Sequence, residues 1–322
     1  MVGATSYCPR FPARLMSSQA RLSALINAAR RLSDPRDPLG DAARAQLPSS
    51  TGLSPENVEL ALREVLETEP TESEIRALIA SAPPAPRVHV QLAPNVFTAP
   101  LRAIALALAQ SPSVFVRASR REPVFARLLL QASAAFELVE SLAPAPGDHL
   151  WAYGSDDTLS SLLRQLPAGV VLHAHGPGFG IALIAAGASG AASALASDLV
   201  PFDQRGCLSP RVAVVVGTAD DARSFAREVA LELDRAASRV PLGRIDDDER
   251  AACALLRETM SYAGEVFGCG SGWVAVDEVP QRLVPTPGAR SLVVTRSESS
   301  LDWLQAFDAV ITCVGIAGPE SL

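Results

Sequence analysis

The sequence predicts an α/β protein built on parallel, doubly wound sheets. From residue 88 onward, short β-rich runs alternate with helical stretches of about ten residues or more, the spacing of βαβ units. A second series of the same kind begins at residue 211. With 322 residues, 48% of them hydrophobic, the chain can form one large α/β unit or two domains.

Residues 1–87 read as a helical lead-in. "SQARLSALINAARRLS" (18–33) and "SPENVELALREVLET" (54–68) carry helical spacing, with Ser54 as N-cap and Pro55 at the first helical position. "TESEIRALIASA" (71–82) is a third helix with a capping box from Thr71 to Glu74. "PPAPR" (83–87) closes this region. Strands are then expected at 88–94, 113–119, 149–155 and 169–175, with helices at 99–111, 123–142 and 157–166 between them. The uncharged stretch 176–197 is long enough to span a bilayer, but it is mostly Ala, Gly and Ser and predicts a buried helix instead. The second series comprises a strand at 211–217, helices near 219–238 and 246–265, and strands near 273–277, 291–295 and 309–314.

Composition removes several function classes. The net charge of −7 does not suit a nucleic-acid binder or a partner of anionic lipid. All 28 cationic side chains are Arg, so no lysine is present for a Schiff base or a P-loop. The cysteines, at 8, 207, 253, 269 and 313, are odd in number and form no CxxC pair, which argues against a zinc site or a disulfide framework. The N-terminal stretch lacks a continuous apolar run, so no signal peptide is expected. A reducing cytoplasm is the expected compartment.

Five stretches carry chemistry. In "FDQRGCLSPR" (202–211) Cys207 lies on a polar turn with Arg205 beside it; a guanidinium favours thiolate, the nucleophilic form. The competing reading is a structural cysteine on a turn. In "APNVF" (93–97) Asn95 sits where a strand turns into a helix, and its amide can donate to a developing oxyanion or simply suit the turn. "VFVRASRREP" (114–123) ends a strand in Arg117, Ser119, Arg120 and Arg121, placed for a phosphorylated ligand or for solvent. "YGSDDT" (153–158) puts Gly154 and Ser155 before a helix, where they can meet pyrophosphate or cap the helix. "HAHGPGFG" (173–180) has glycines spaced GxGxG, a poor dinucleotide fingerprint, behind His173 and His175, which are candidate acid–base groups or structural side chains.

In this order the stretches resemble the aldehyde dehydrogenase superfamily, and within it the LuxC-type acyl-CoA reductases. The Asp-Gln-Arg-x-Cys-x-Ser string around Cys207 is the strongest match, and the likeness is clear over 88–217. The resemblance implies that Cys207 is the acyl-accepting thiol. "PNV" is similar to the Pro-Asn-Val of the related glutamyl-phosphate reductases and implies that Asn95 belongs to an oxyanion hole. "VFVRASRREP" aligns with the strand that contacts adenosine ribose, implicating Arg117, Ser119 and Arg120; "YGS" matches the pyrophosphate turn, implicating Gly154 and Ser155. Arg120 replaces a family Glu, which implies NADPH (NADP) rather than NADH. "HAHG" stands where the hydrolytic members carry Glu-Leu-Gly-Gly, so little hydrolysis to free acid is expected, with His173 or His175 as substitute bases. The Glu-Ile-Phe-Gly-Pro motif is not visible.

The implied architecture is aldehyde-dehydrogenase-like: a helical lead-in (1–87), a Rossmann-type nucleotide-binding domain (88–181) and an α/β catalytic domain (182–322) that is C-terminally short. The implied reaction reduces an acyl-CoA or other acyl thioester, long-chain in kind, to an aldehyde. Neither nucleic acid nor a membrane span is expected, no metal is invoked, and a homo-oligomer is compatible with this reading. The alternatives are reduction of an acyl phosphate, a degenerate nucleotide- or partner-binding member, and a Rossmann dehydrogenase using "HGPGFG".

Overall fold

A computed structural model describes residues 16–268, 270–298 and 300–318. Cys8, Cys269 and the rest of the N-terminal residues 1–15, where no signal peptide is expected, fall outside them. The described chain divides into two compact units. One runs up to Ser50 and continues through Leu62–Gly176; the other combines Thr51–Ala61 with the residues from Pro177 onward.

The chain opens with helices α1 (Ser18–Ser33) and α2 (Pro38–Thr51); α3 (Pro55–Leu60) belongs to the second unit, and α4 (Glu72–Ser81) returns to the first. In α1 the side chain of Ser17 accepts from the Ala20 N–H, and Leu22, Leu25, Ile26, Ala29 and Leu32 form one buried stripe, the i, i+3, i+4, i+7 pattern of a helix packed on a core. Ser54 and Pro55 open α3 as expected, and Thr71 and Glu74 form the expected capping box. The sequence reading missed α2, which carries Pro48 in its last turn.

The remaining elements of the first unit alternate: β1 (Val88–Gln91), α5 (Ala99–Gln110), β2 (Val114–Arg117), α6 (Val124–Ser133), β3 (Glu137–Leu138), β4 (His149–Tyr153), α7 (Asp156–Gln165) and β5 (Val171–His175). The strands form one all-parallel sheet in the order β3-β2-β1-β4-β5. Val88, Val90, Val114, Val116, Leu150 and Ala152 are its buried apolar residues, joined in β1 by buried His89 and Gln91, so the valine runs of β1 and β2 read as strands because they are covered. The helix expected over 123–142 stops at Ser133. Ala134 takes a left-handed conformation (φ 50°), Phe136 enters the core, and Glu137–Leu138 pair with β2. Burial and strand pairing outweigh the helix propensity of this Ala- and Leu-rich segment.

The second unit contains β6 (Phe179–Ala185), α8 (Ala191–Leu199), β7 (Pro210–Val216), α9 (Ala219–Ala237), α10 (Asp247–Ala263), β8 (Val266–Phe267), β9 (Trp273–Val276), β10 (Ser291–Ser297) and β11 (Ile311–Ala317). Its sheet has the order β11-β6-β7-β10-β9-β8, parallel except for β8. The buried helix expected over 176–197 is instead strand β6 followed by α8. A central strand covered on both faces has no alternation, and its apolar run looks like a buried helix. The glycines serve strand approach: a Cβ on Gly180 would strike the Leu208 carbonyl, and one on Gly178 would strike Thr312. No helix among the described residues is long and apolar enough to cross a membrane.

Candidate active site

In the first unit the candidate groups gather at the carboxyl ends of the parallel strands. β2 ends at Arg117, whose guanidinium donates to Gln91 Oε1 (3.1 Å). Arg117, Ser119 and Arg120 line a cavity of about 460 Å³, together with Arg127, Val139 and Glu140. Arg117 and Ser119 are half-buried and Arg120 is exposed. Arg121 lies beside them in sequence, and its N–H donates to Ser119 Oγ (3.2 Å). Glu122 is buried and accepts from the N–H groups of Val124 (2.8 Å) and Phe125 (3.0 Å), so a carboxylate caps α6. Burial pushes its carboxyl above the usual range, against the pull of those two N–H groups. Arg127 and Glu140 were not legible as cavity residues: one lies on α6, and the other follows the unexpected β3.

Gly154 and Ser155 join β4 to α7. The Gly154 N–H donates to the His175 carbonyl (3.2 Å), and Ser155 Oγ accepts from the Thr158 N–H (3.4 Å) as the helix N-cap. Asn95 is exposed in the bend between β1 and α5. His173 and His175 point to one face of β5 and join an aromatic ladder. His173 stacks on Trp151 (4.1 Å between centroids) and meets His149 (Nε2 to Nδ1, 3.2 Å), while His175 stacks on Tyr153 (4.7 Å). Burial lowers the pKa of both below the ordinary value, so both imidazoles are neutral at pH 7.

In the second unit Cys207 is exposed on the turn between α8 and β7. The turn is held on both sides. Arg205, expected to favour thiolate, donates to the carbonyls of Thr51 (2.9 Å) and Arg244 (2.8 Å) and lies 3.7 Å from Glu249. Thr312 Oγ1 on β11 donates to the Cys207 carbonyl. Arg211 adds a second guanidinium. Burial draws its pKa down, while Glu249, Cys253 and Cys207 draw it back up. Burial likewise pushes up the Glu249 carboxyl, despite Arg205 and Arg211, and the Cys253 thiol. Glu249 was missed because an acidic run at the start of α10 reads as helix capping, which Asp246 does supply. Among the described residues no group of three or more His, Cys, Asp or Glu side chains could hold a metal ion.

The two-sheet architecture is that of the aldehyde dehydrogenases. It is similar to the NAD-dependent benzaldehyde dehydrogenase of Corynebacterium glutamicum, with a TM-score of 0.68, 14% identity, and coverage of 94% of this chain and 81% of that one. It is also similar to a Mycobacterium tuberculosis aldehyde dehydrogenase complexed with NAD+, with a TM-score of 0.69, 12% identity, and coverage of 96% and 79%. A third is the glyceraldehyde-3-phosphate dehydrogenase GapN of Methanocaldococcus jannaschii complexed with NADP, with a TM-score of 0.65, 11% identity, and coverage of 94% and 82%. At these identities the likeness defines the fold alone. The family described as Acyl-CoA reductase (LuxC) matches residues 133–321, more than half of the chain, and the chain belongs to that family. It is 28% identical over 151 residues to the long-chain acyl-protein thioester reductase of Aliivibrio fischeri; the match covers 46% of this chain and 31% of that protein.

Proposed function

We propose that the protein reduces an acyl thioester to the aldehyde through a covalent intermediate on Cys207. The single observation that carries this reading is an exposed thiol on a turn anchored at both ends, in a chain of the acyl-CoA reductase family. In this reading the first unit holds the nucleotide and the second supplies the nucleophile. The Cys207 thiolate attacks the thioester carbonyl, a C–S bond forms, and the carbonyl electron pair moves onto oxygen. A backbone N–H near Cys207 stabilises that oxyanion, and the exposed amide of Asn95 is assigned to oxyanion donation on the family resemblance. Collapse expels the carrier thiolate, of CoA or of a protein, and leaves an acyl-enzyme. A reduced nicotinamide dinucleotide supplies, when bound, the hydride that turns this acyl group into aldehyde. The same step returns the thiolate to Cys207.

The residues lining the cavity at the end of β2 suit such a nucleotide: three arginines, Arg117, Arg120 and Arg127, and Ser119 stand against one acidic residue, Glu140. We assign the ribose and its 2′-phosphate to Arg117, Ser119 and Arg120, which makes NADPH the preferred reductant, and the pyrophosphate to Gly154 and Ser155. The absence of a glutamate before Gly176 supports reduction over hydrolysis, and His173 and His175 are assigned as the substitute bases. The named thioester reductase relative supports a long-chain acyl group. Free thiols at Cys207, Cys253 and Cys313 suit a reducing cytoplasm. The test is turnover of a long-chain acyl-CoA with NADPH in the presence of a hydrazine trap. Aldehyde hydrazone is expected; free acid alone, or no product, overturns the proposal.

A further inference from the structure

Just upstream of the nucleophile turn the backbone takes a conformation that ordinary residues avoid. Phe202, Asp203 and Gln204 are left-handed in succession (φ 54°, 52° and 64°), and none is glycine. Such residues persist only where their surroundings over-determine them. Here the surroundings are a buried polar network. Asp203 Oδ1 accepts from Arg290 Nη2 (2.7 Å), Arg290 Nε (3.1 Å) and Asn57 Nδ2 (3.0 Å), and Oδ2 accepts from the Gly243 N–H (3.0 Å). The Asp203 carbonyl accepts from the Ala289 N–H (3.2 Å).

The partners are themselves tied down. Arg290 also donates to the carbonyls of Val240 (2.6 Å) and Pro241 (3.3 Å). Asn57 accepts from the Phe202 N–H (3.0 Å) and donates to the Val200 carbonyl (3.0 Å). The amide of Gln204 pairs with the Ser291 N–H (2.9 Å), the Ser291 carbonyl (2.7 Å) and the Pro210 carbonyl (2.5 Å). The side chains of Asp203 and Arg290 are both 0% exposed.

A buried ion pair is a weak source of stability, because desolvation of both charges offsets their attraction. It is a strong source of geometry, since any displacement leaves a charge unpaired. This one holds the strained segment that leads directly into the Cys207 turn.

We infer that Asp203 is a positioning residue: its carboxylate, shared by Arg290, Asn57 and the Gly243 N–H, locks residues 202–204 left-handed and so sets the direction from which the Cys207 thiol meets an acyl thioester. The inference rests on the reading of Cys207 as the acyl-accepting thiol. Its simpler competitor is that the network only holds the fold together.

The experiment compares wild type, the double variant Asp203→Asn/Arg290→Gln, which removes both buried charges together, and Asn57→Ala, which keeps the ion pair. For each, melting temperature, the rate of acylation by a long-chain acyl-CoA, and alkylation of Cys207 by iodoacetamide are measured, the last two by peptide mass spectrometry. The limiting acylation rate of the double variant should fall by about tenfold or more, because acyl transfer demands a fixed angle of attack. Its half-saturating acyl-CoA concentration and its alkylation rate should stay within about threefold, since a small free reagent approaches from any side. A folded double variant that acylates at the wild-type rate overturns the inference. So does a parallel fall of acylation and alkylation, which marks general loss of structure. Should the double variant fail to fold, Asn57→Ala decides: a selective loss of acylation supports the inference, and an unselective one overturns it. A wild-type Cys207 that alkylates but accepts no acyl group removes the nucleophile reading itself, and this inference with it.

Discussion

Replacing Arg120 by Glu tests the nucleotide end of the site. Arg120 lines the cavity at the end of β2 beside Arg117 and Arg127. A charge-assisted hydrogen bond to phosphate contributes about 1.5–3 kcal/mol where solvent is largely excluded. Arg120 is exposed, so a value just below that range applies, about 1.4 kcal/mol or tenfold in affinity. Glutamate does more than remove this contact. Two unit charges about 6 Å apart repel by roughly 0.7–1.4 kcal/mol at an effective dielectric of about 40–80. The two effects together make about 2–3 kcal/mol, so the ratio of kcat/KM for NADPH over NADH should drop by about 30-fold or more. Wild type should prefer NADPH by at least about tenfold. Steady-state kinetics with both cofactors at low ionic strength give the ratios, and Arg121→Glu, next in sequence but outside the cavity lining, is the control. An unchanged ratio in Arg120→Glu, or an equal change in Arg121→Glu, refutes the assignment.

Three further outcomes follow from other parts of the molecule. Asn95→Ala should lower kcat by about a hundredfold, the scale of one oxyanion donor, with KM little changed; a change confined to KM makes Asn95 a turn residue. Because burial lowers the pKa of His173 and His175 from 6.5, the unfolded chain binds protons there before the folded chain does. Stability should therefore fall as pH drops through 6.5 toward the lowered values, and His173→Gln/His175→Gln should flatten that part of the melting-temperature profile; an identical profile refutes this. Gly180→Ala drives a Cβ into the Leu208 carbonyl beside Cys207 in sequence and should cost about 1–3 kcal/mol by urea denaturation, whereas a neutral result shows that β6 can shift.

What was legible in the sequence depended on how local the cause is. The caps at Ser54 and Thr71 act within three residues of themselves, and both form as read. Strands β1 and β2 announce themselves through valine-rich runs, VHVQ and VFVR, whose valines are buried. The segments 123–142 and 176–197 misled because their structure is decided elsewhere: β3 forms only against β2, and β6 only between β7 and β11. The site divides in the same way. Cys207, Asn95 and the arginines at the end of β2 stand in short recognisable strings, whereas Arg290 lies 87 residues and Asn57 146 residues from Asp203. No spacing rule links residues so far apart, and the network that holds the Cys207 turn emerges only from the packed chain.

The central claim is a thioester on Cys207, and trapping it is the most direct test. The protein is incubated with isotopically labelled long-chain acyl-CoA in the absence of any reductant, quenched in acid, digested and mapped by mass spectrometry. The account predicts about one acyl group per chain, carried by the peptide containing Cys207, removed by neutral hydroxylamine, released as aldehyde when NADPH is added before the quench, and missing in Cys207→Ala. Equal labelling of Cys207→Ala, or label confined to Cys253 or Cys313, contradicts it.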